Sequence, residues 1–298
     1  IEVLRGPQGL VYGADAGGVL SISSARAELG FNATVDAQLG SNNTEQLAAT
    51  LSGGDEAVDF FFTATEYSSD GYNIRTSDNV LADDDGYDNS NFYGRVGFDL
   101  GEKWRVDLRH RQVDTETQYD GCFSTTTVHD CQAFYELQSS AVSVNYAGNS
   151  TNHNLSYQNN QTDRDDHAIG VSSFTSNGEL SRVEYVGSAT ELSGFDLVWG
   201  IDLEQEENGT EERDNKGYYL TALSDFSDNL FLSAGIRRDD NDDFGEHDSY
   251  RLSAAYRFDL NNGSLKLKTS YGTGFRAPSL FEIAYNAGPF SFPPAAGL

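Results

Sequence analysis

The stretch YRLSAAYRFDL, residues 250–260, puts Tyr250, Leu252, Ala254, Tyr256, Phe258 and Leu260 on one side of an extended chain and Arg251, Ser253, Arg257 and Asp259 on the other. Successive side chains of a strand point to opposite sides, so this two-residue period reads as a strand with one apolar and one polar face. The same pattern recurs at Phe195, Leu197, Trp199, Ile201 and Leu203, and again at Leu265, Leu267, Thr269 and Tyr271. From about residue 26 onward it returns in stretch after stretch, giving about thirteen strands, many of about ten residues or more. Helical periodicity is nowhere sustained.

The links between these strands fall into two sets that take turns along the chain. One set is short: SGGD at 52–55, LGEK at 100–103, AGNS at 147–150, TELSG at 190–194, SDN at 227–229 and NNGS at 261–264. These carry the Gly, Asn, Asp and Ser of tight hairpins. The other set is longer and more acidic, at 67–90, 117–135, 163–178, 205–216 and 239–249. Only an up-and-down meander gathers all short turns at one end and all long loops at the other.

A meander with one apolar face closes in one of two ways. A soluble barrel turns that face inward; an outer-membrane barrel turns it to lipid and keeps a polar interior. Alternation cannot choose between them, but strand number can, because a lipocalin-like barrel stops at about eight. The expected fold is therefore all-β: an antiparallel up-and-down transmembrane β-barrel in contact with outer-membrane lipid. Trp104, Tyr146 and Tyr271 near strand ends suit interfacial girdles, and ordinary β-propensity accounts for them equally. No stretch approaches the roughly 18 apolar residues of a membrane-spanning helix, a test that barrel strands do not enter. With 47 acidic against 19 basic residues and a formal charge of −28, the chain repels polyanions, which argues against nucleic acid as a partner. Its first residues, IEVLRGPQG, hold no basic or apolar leader, it has no methionine, and the tail GPFSFPPAAGL has no closing strand. A mature or excised piece is expected, one that folds only within a longer protein, since about thirteen strands leave two open edges.

Residues 1–22, IEVLRGPQGLVYGADAGGVLSI, resemble the closing segment of the plug domain in TonB-dependent outer-membrane receptors. The shared elements are IEVLRGP, a YG step, the small-residue patch ADAGG and a final apolar strand. DNDDFGEHDSYRLSAAYRF at 240–258 and TSYGTGFRAPSL at 269–280 resemble barrel strands of the cobalamin-receptor branch of that family. The resemblance implies a plug end at residues 1–24 and the first part of a barrel of about 22 strands at 25–298. It also implies import of a cobalamin or other chelate ligand, driven by the TonB-ExbB-ExbD energising complex. The expected location is the outer membrane of a Gram-negative bacterium, and the expected state a monomer. Arg5 is read as an ion-pair partner holding plug to barrel wall, or as a solvated surface arginine.

ADDDGYDN, residues 82–89, is the acid run most open to a metal reading. Asp83 to Gly86 invite an EF-hand, but its twelfth position, a bidentate glutamate in that loop, is Gly94, and the flanks are strands. A second acid loop reads YDGCFSTTTVHDC from 119 to 131. In the cobalamin branch the matching loops bind calcium, which orders them for the ligand. The resemblance places the ligating oxygens at Asn73, Asp83, Asp85, Asp120 and Asp130, with Asn73 standing where the family has an aspartate. The alternative is a pair of solvated acid loops with no specific ion. Tyr119 is a candidate ligand contact by the same resemblance, and ordinary aromatic packing is its other reading.

Cys122 and Cys131 are the only cysteines. In an oxidising cell-surface setting they are expected to form a disulfide that brings Asp120 and Asp130 together, contributing on the order of 2–3 kcal/mol. The rival is a zinc site of Cys122, His129, Asp130 and Cys131. Enzyme readings find no support: no GxSxG elbow, P-loop or HExxH is present, and the five histidines are scattered. Calcium is the one cofactor expected. The competing functions are a receptor for a siderophore or other iron chelate and, from another class, a passive porin or surface adhesin.

Overall fold

The computed structural model describes residues 2–5, 9–13, 18–22, 27–75, 83–123, 126–192, 194–209 and 211–287. The chain opens with β1 (Glu2–Arg5), a single turn α1 (Gly9–Tyr12) and β2 (Gly18–Ser21), with β1 and β2 paired antiparallel. Then come β3 (Gly30–Leu39), β4 (Glu45–Gly54), β5 (Val58–Tyr72), β6 (Asp85–Leu100) and β7 (Trp104–Tyr119). Two short strands, β8 (Cys122–Phe123) and β9 (Thr127–Val128), pair with each other inside one loop. The wall continues with β10 (Cys131–Ala147), β11 (Thr151–Ala168), β12 (Val171–Leu192), β13 (Phe195–Asn208) and β14 (Glu211–Ser227). It ends with β15 (Leu230–Asn241), β16 (Gly245–Leu260), β17 (Gly263–Gly272) and a helix α2 (Leu280–Ala287).

Each long strand pairs antiparallel with its sequence neighbour, so the described residues form one 13-stranded meander from β3 to β17, with β7 joined directly to β10. The register decides which face meets lipid. Trp199, Leu220, Ile236 and Tyr250 stand side by side across β13 to β16, and the last three are 48%, 56% and 43% exposed. One residue along, Gly200, Tyr219, Arg237 and Ser249 form the adjacent row, and there the last three are 5%, 1% and 1% exposed. The apolar row points out and the polar row points in, the reverse of a soluble barrel. Trp104 and Tyr271, both exposed, lie on the outer surface, and the Trp104 ring meets that of Tyr146 at 4.8 Å.

Strands β10, β11 and β12 run 17, 18 and 22 residues, well past the roughly 9–11 that cross a bilayer. Three of the expected long loops are therefore mostly strand. The 163–178 segment turns at Ile169 and Gly170, the 205–216 segment between Asn208 and Glu211, and the 239–249 segment between Asn241 and Gly245. These hairpins carry mostly polar side chains on both faces, so apolar alternation fades and the sequence reads as loop, although the backbone ladder continues.

The inward face is held by buried ion pairs. Arg237 donates from Nη1 and Nη2 to the two carboxylate oxygens of Asp202 at 2.7 and 2.9 Å, and from Nε to Asp239 at 2.9 and 3.0 Å. Further round the wall, Arg105 donates to Asp59 at 2.5 Å and to Asp99 at 2.9 Å, while Arg95 bridges Asp59 and Asp107, each at 3.1 Å. The α1 turn lies against β14, β15 and β16. Its buried Leu10 sits over Gly235, where a Cβ would come within 2.4 Å of the leucine methyl, and the Leu10 carbonyl accepts from Arg237 Nη1 at 3.3 Å. The side chain of Arg5 lies outside the described part of the structure, as does the ADAGG patch apart from Gly18.

Candidate functional site

The acid run sits where β5 hands over to β6. A register shift between Ser69 and Tyr72 brings Tyr72 opposite Asp85. Gly71 makes this possible: its φ is +68°, and a Cβ there would stand 1.8 Å from the Asp85 carbonyl oxygen. Two backbone amides then face the acids, Asn73 N–H donating to Asp84 Oδ1 at 3.1 Å and Ile74 N–H to Asp85 Oδ2 at 2.9 Å. From the neighbouring strand, Gln118 Oε1 accepts from Gly86 N–H at 3.1 Å, tying the first loop to the foot of the second.

The second loop is closed by a disulfide between Cys122 and Cys131, with Cα atoms 6.0 Å apart. Both sulfurs are used in that bond, which removes the zinc reading. Cys131 is buried as the first residue of β10, between Tyr119 and Ala168, and the Asp130 carbonyl accepts from Ile169 N–H at 2.8 Å. The Asp120 carboxylate is buried, and its Oδ1 makes no hydrogen bond; it lies 3.5 Å from His129 Nδ1. Asn73 Oδ1 is likewise buried without a partner. Burial pushes the Asp85 carboxyl above its ordinary value; the Ile74 amide opposes this, and repulsion from Asp120, Asp83 and Asp84 adds to it.

The structure thus brings Asn73, Asp83, Asp85 and Asp120 into one electrostatic neighbourhood, together with Asp84, which the family resemblance passes over. Asp130 is exposed, and what ties it to this region is its backbone. Among the described residues no three His, Cys, Asp or Glu side chains stand close enough to hold a metal as placed. The donor set nonetheless fits a hard cation: every candidate offers oxygen, and two of those oxygens are buried and make no hydrogen bond. Tyr119 ends β7 beside the Arg164–Asp166 pair, whose two bonds are each 2.8 Å. Its phenol is pushed up by burial and by the Asp166 carboxylate, against the pull of Arg164.

Inward of these loops lies a cavity of about 650 Å³ that sequence reasoning did not anticipate, walled by Tyr135, Arg164, Phe174, Glu204, Glu206 and Arg213 and closed on one side by α2. Ser279 caps that helix: Glu282 N–H donates to Ser279 Oγ at 3.2 Å, and Ser279 N–H to Glu282 Oε2 at 2.8 Å. The signal was present as SLFE at 279–282. The strap before α2 is fastened to the wall by Arg213 Nη1 donating to the Pro278 carbonyl at 2.6 Å and by Leu280 N–H donating to Glu206 Oε1 at 3.0 Å.

A lipid-facing apolar wall, an ion-paired interior and an acid-rimmed mouth define the wall of an outer-membrane β-barrel. Residues 30–297 match the family described as TonB dependent receptor-like, beta-barrel, and the chain belongs to it. Its place is the outer membrane of a Gram-negative bacterium. It is 28% identical over 293 residues to the vitamin B12 transporter BtuB of Photobacterium profundum, covering 95% of this chain and 47% of that protein. It is 27% identical over 301 residues to the vitamin B12 transporter BtuB of Vibrio vulnificus, again over 95% and 47%. The chain spans about half the length of the curated relatives it matches. Among solved structures, the siderophore receptor PirA from Pseudomonas aeruginosa superposes with a TM-score of 0.72 at 20% identity, over 94% of this chain and 49% of that one. At that identity the likeness is one of fold.

Proposed function

We propose that the receptor binds cobalamin or a related corrinoid at its outer mouth and imports it through TonB-driven movement of a plug, with calcium ordering the two acid loops before the ligand docks. The observation that carries this reading is the pair of buried oxygens that make no hydrogen bond, Asn73 Oδ1 and Asp120 Oδ1, on two loops whose carboxylates repel each other. A bound calcium supplies the positive charge that draws such loops together. Asp83 and Asp85 present carboxylates from the first loop and Asp120 from the second, while the disulfide limits how far Asp120 and Asp130 can part. Residues 1–24 act as the end of the plug, resting through Leu10 on Arg237, with Arg5 as a further tie and the TonB-ExbB-ExbD complex as the source of energy.

The ligand choice is supported by the two curated vitamin B12 transporters, which align over 95% of the chain. Charge supports it too. Glu204 and Glu206 line the inner cavity and the chain carries −28 overall, which disfavours a polyanionic ferric chelate relative to a corrinoid. An open porin is disfavoured by the segment resting on the lumen wall.

Titration of the full-length receptor with cyanocobalamin tests the reading. Affinity about tenfold or more weaker in chelator than in millimolar calcium is expected. Affinity indifferent to calcium would sink the loop-ordering step, and no binding at all would sink the ligand assignment.

A further inference from the structure

The inward rows of this barrel carry mostly polar side chains, with aromatic rings set among them, as at Tyr219 and at the cavity beneath the mouth. There Tyr135, Phe174 and Phe281 face the lumen with 37%, 40% and 45% of their surfaces exposed. An aromatic ring left open to water gives up burial free energy, and among the described residues these rings stay part-exposed. Phe174 and Phe281 meet at 87° with centroids 6.4 Å apart, forming a right-angled corner between β12 and α2. A planar ring laid on one wall of such a corner presents its edge to the other, which satisfies both stacked and edge-to-face geometry. The charges around the corner are already engaged: Arg164 lies over Phe174 at 5.8 Å with its guanidinium held by Asp166, and Arg213 is held by Glu206. With carboxylates close by and both cations occupied, the corner suits a neutral or weakly basic ring and resists a catecholate.

We propose that this corner is a subsite for the fused heteroaromatic base of the ligand's nucleotide tail, with Phe281 and Phe174 as its specificity-determining walls. The inference rests on the corrinoid reading above and adds a claim about which part of the ligand is recognised. At about 650 Å³ the cavity has the scale of a small-molecule pocket and receives one arm of a large ligand. The strap ties at Pro278 and Leu280 hold Phe281 in place, so the corner is built before the ligand arrives.

The test uses the full-length receptor and two probes, cyanocobalamin, which carries the base, and dicyanocobinamide, which lacks it. Wild-type protein, Phe281→Leu, Phe174→Leu and Phe281→Trp are titrated with each in saturating calcium, and heat-modifiable migration confirms a folded barrel. Loss of one stacking wall is expected to weaken cyanocobalamin about tenfold in each leucine variant while leaving dicyanocobinamide within about twofold, and Phe281→Trp is expected to restore wild-type affinity. Equal weakening of both probes, or no change in either, overturns the subsite while the corrinoid assignment stands. Failure of the wild type to bind either probe overturns the corrinoid assignment and the subsite with it.

Discussion

Two regions of this molecule handle charge in opposite ways. In the wall, Arg237 is enclosed by Asp202 and Asp239, and Arg95 and Arg105 by Asp59, Asp99 and Asp107, so nearly every buried charge has a counter-charge at hydrogen-bond distance. At the mouth, Asp85 is repelled by Asp83, Asp84 and Asp120, and two buried oxygens nearby make no hydrogen bond, one of them 3.5 Å from His129. Paired buried charges hold a shape and need nothing further. Acids placed together by a glycine bulge and a disulfide, with backbone amides and His129 as partners, keep negative charge that a cation would balance.

The comparison breaks most visibly if one wall cation is removed. Arg237→Ala leaves Asp239 buried without its cation and Asp202 with the longer Arg182 contact at 3.5 Å, and is expected to cost about 3–5 kcal/mol, read from denaturant unfolding of the full-length receptor in detergent. The Asp83→Ala/Asp85→Ala double substitution does the reverse. It removes repulsion, leaves barrel unfolding in chelator unchanged or slightly improved, and costs about 10- to 100-fold in calcium-dependent cyanocobalamin affinity. If that affinity keeps its calcium dependence, the acids at β6 are not the ion's ligands.

A smaller effect is expected from Cys122→Ser/Cys131→Ser. The loop lies beyond the membrane-crossing part of the wall, so barrel unfolding stays unchanged while half-saturation by calcium rises about three- to tenfold as Asp120 and Asp130 gain freedom. The smallest concerns an exposed pair. Glu282 is held below its ordinary carboxylate value by the Ser279 amide, with Arg276 adding to this. A carboxyl lowered in this way stabilises α2 at neutral pH, and the contribution is lost as pH falls through the depressed value. Hydrogen exchange at the Ile283 amide should therefore quicken only below the ordinary carboxylate range, and Glu282→Ala should remove that pH dependence.

Much of the wall was legible because strand alternation is local. The count of about thirteen strands, the meander and the short-turn end all follow from a two-residue period and from Gly, Asn and Asp at tight turns. The hairpins at 163–178, 205–216 and 239–249 were read as loops because strands that are mostly polar on both faces lose that period. One signal was present and went unread. Arg105 and Asp107, Arg164 and Asp166, Arg182 and Glu184, Arg237 and Asp239, and Arg257 and Asp259 all stand two apart on one strand face, and every one of these pairs is bridged in the structure. These bridged pairs lie on the inward face of β7, β11, β12, β15 and β16 and mark the lumen networks there. The acid residues of the mouth were named by resemblance, whereas the Phe174–Phe281 corner joins residues more than a hundred positions apart and leaves no local trace.

By itself the sequence determined that the chain is a meander of two-faced strands with acid loops at one end, since side-chain alternation and turn chemistry depend only on near neighbours. The two-residue period alone is the same whether its apolar side points in or out, and it was strand number that pointed that side to lipid. The curvature of the sheet shows it residue by residue, enclosing Arg237, Asp202 and Ser249 and leaving Leu220 and Ile236 outside, because only the path of the whole wall sets which side is concave. The same curvature brings β12 and the strap after β17 into one cavity, a proximity set by the path of the whole wall.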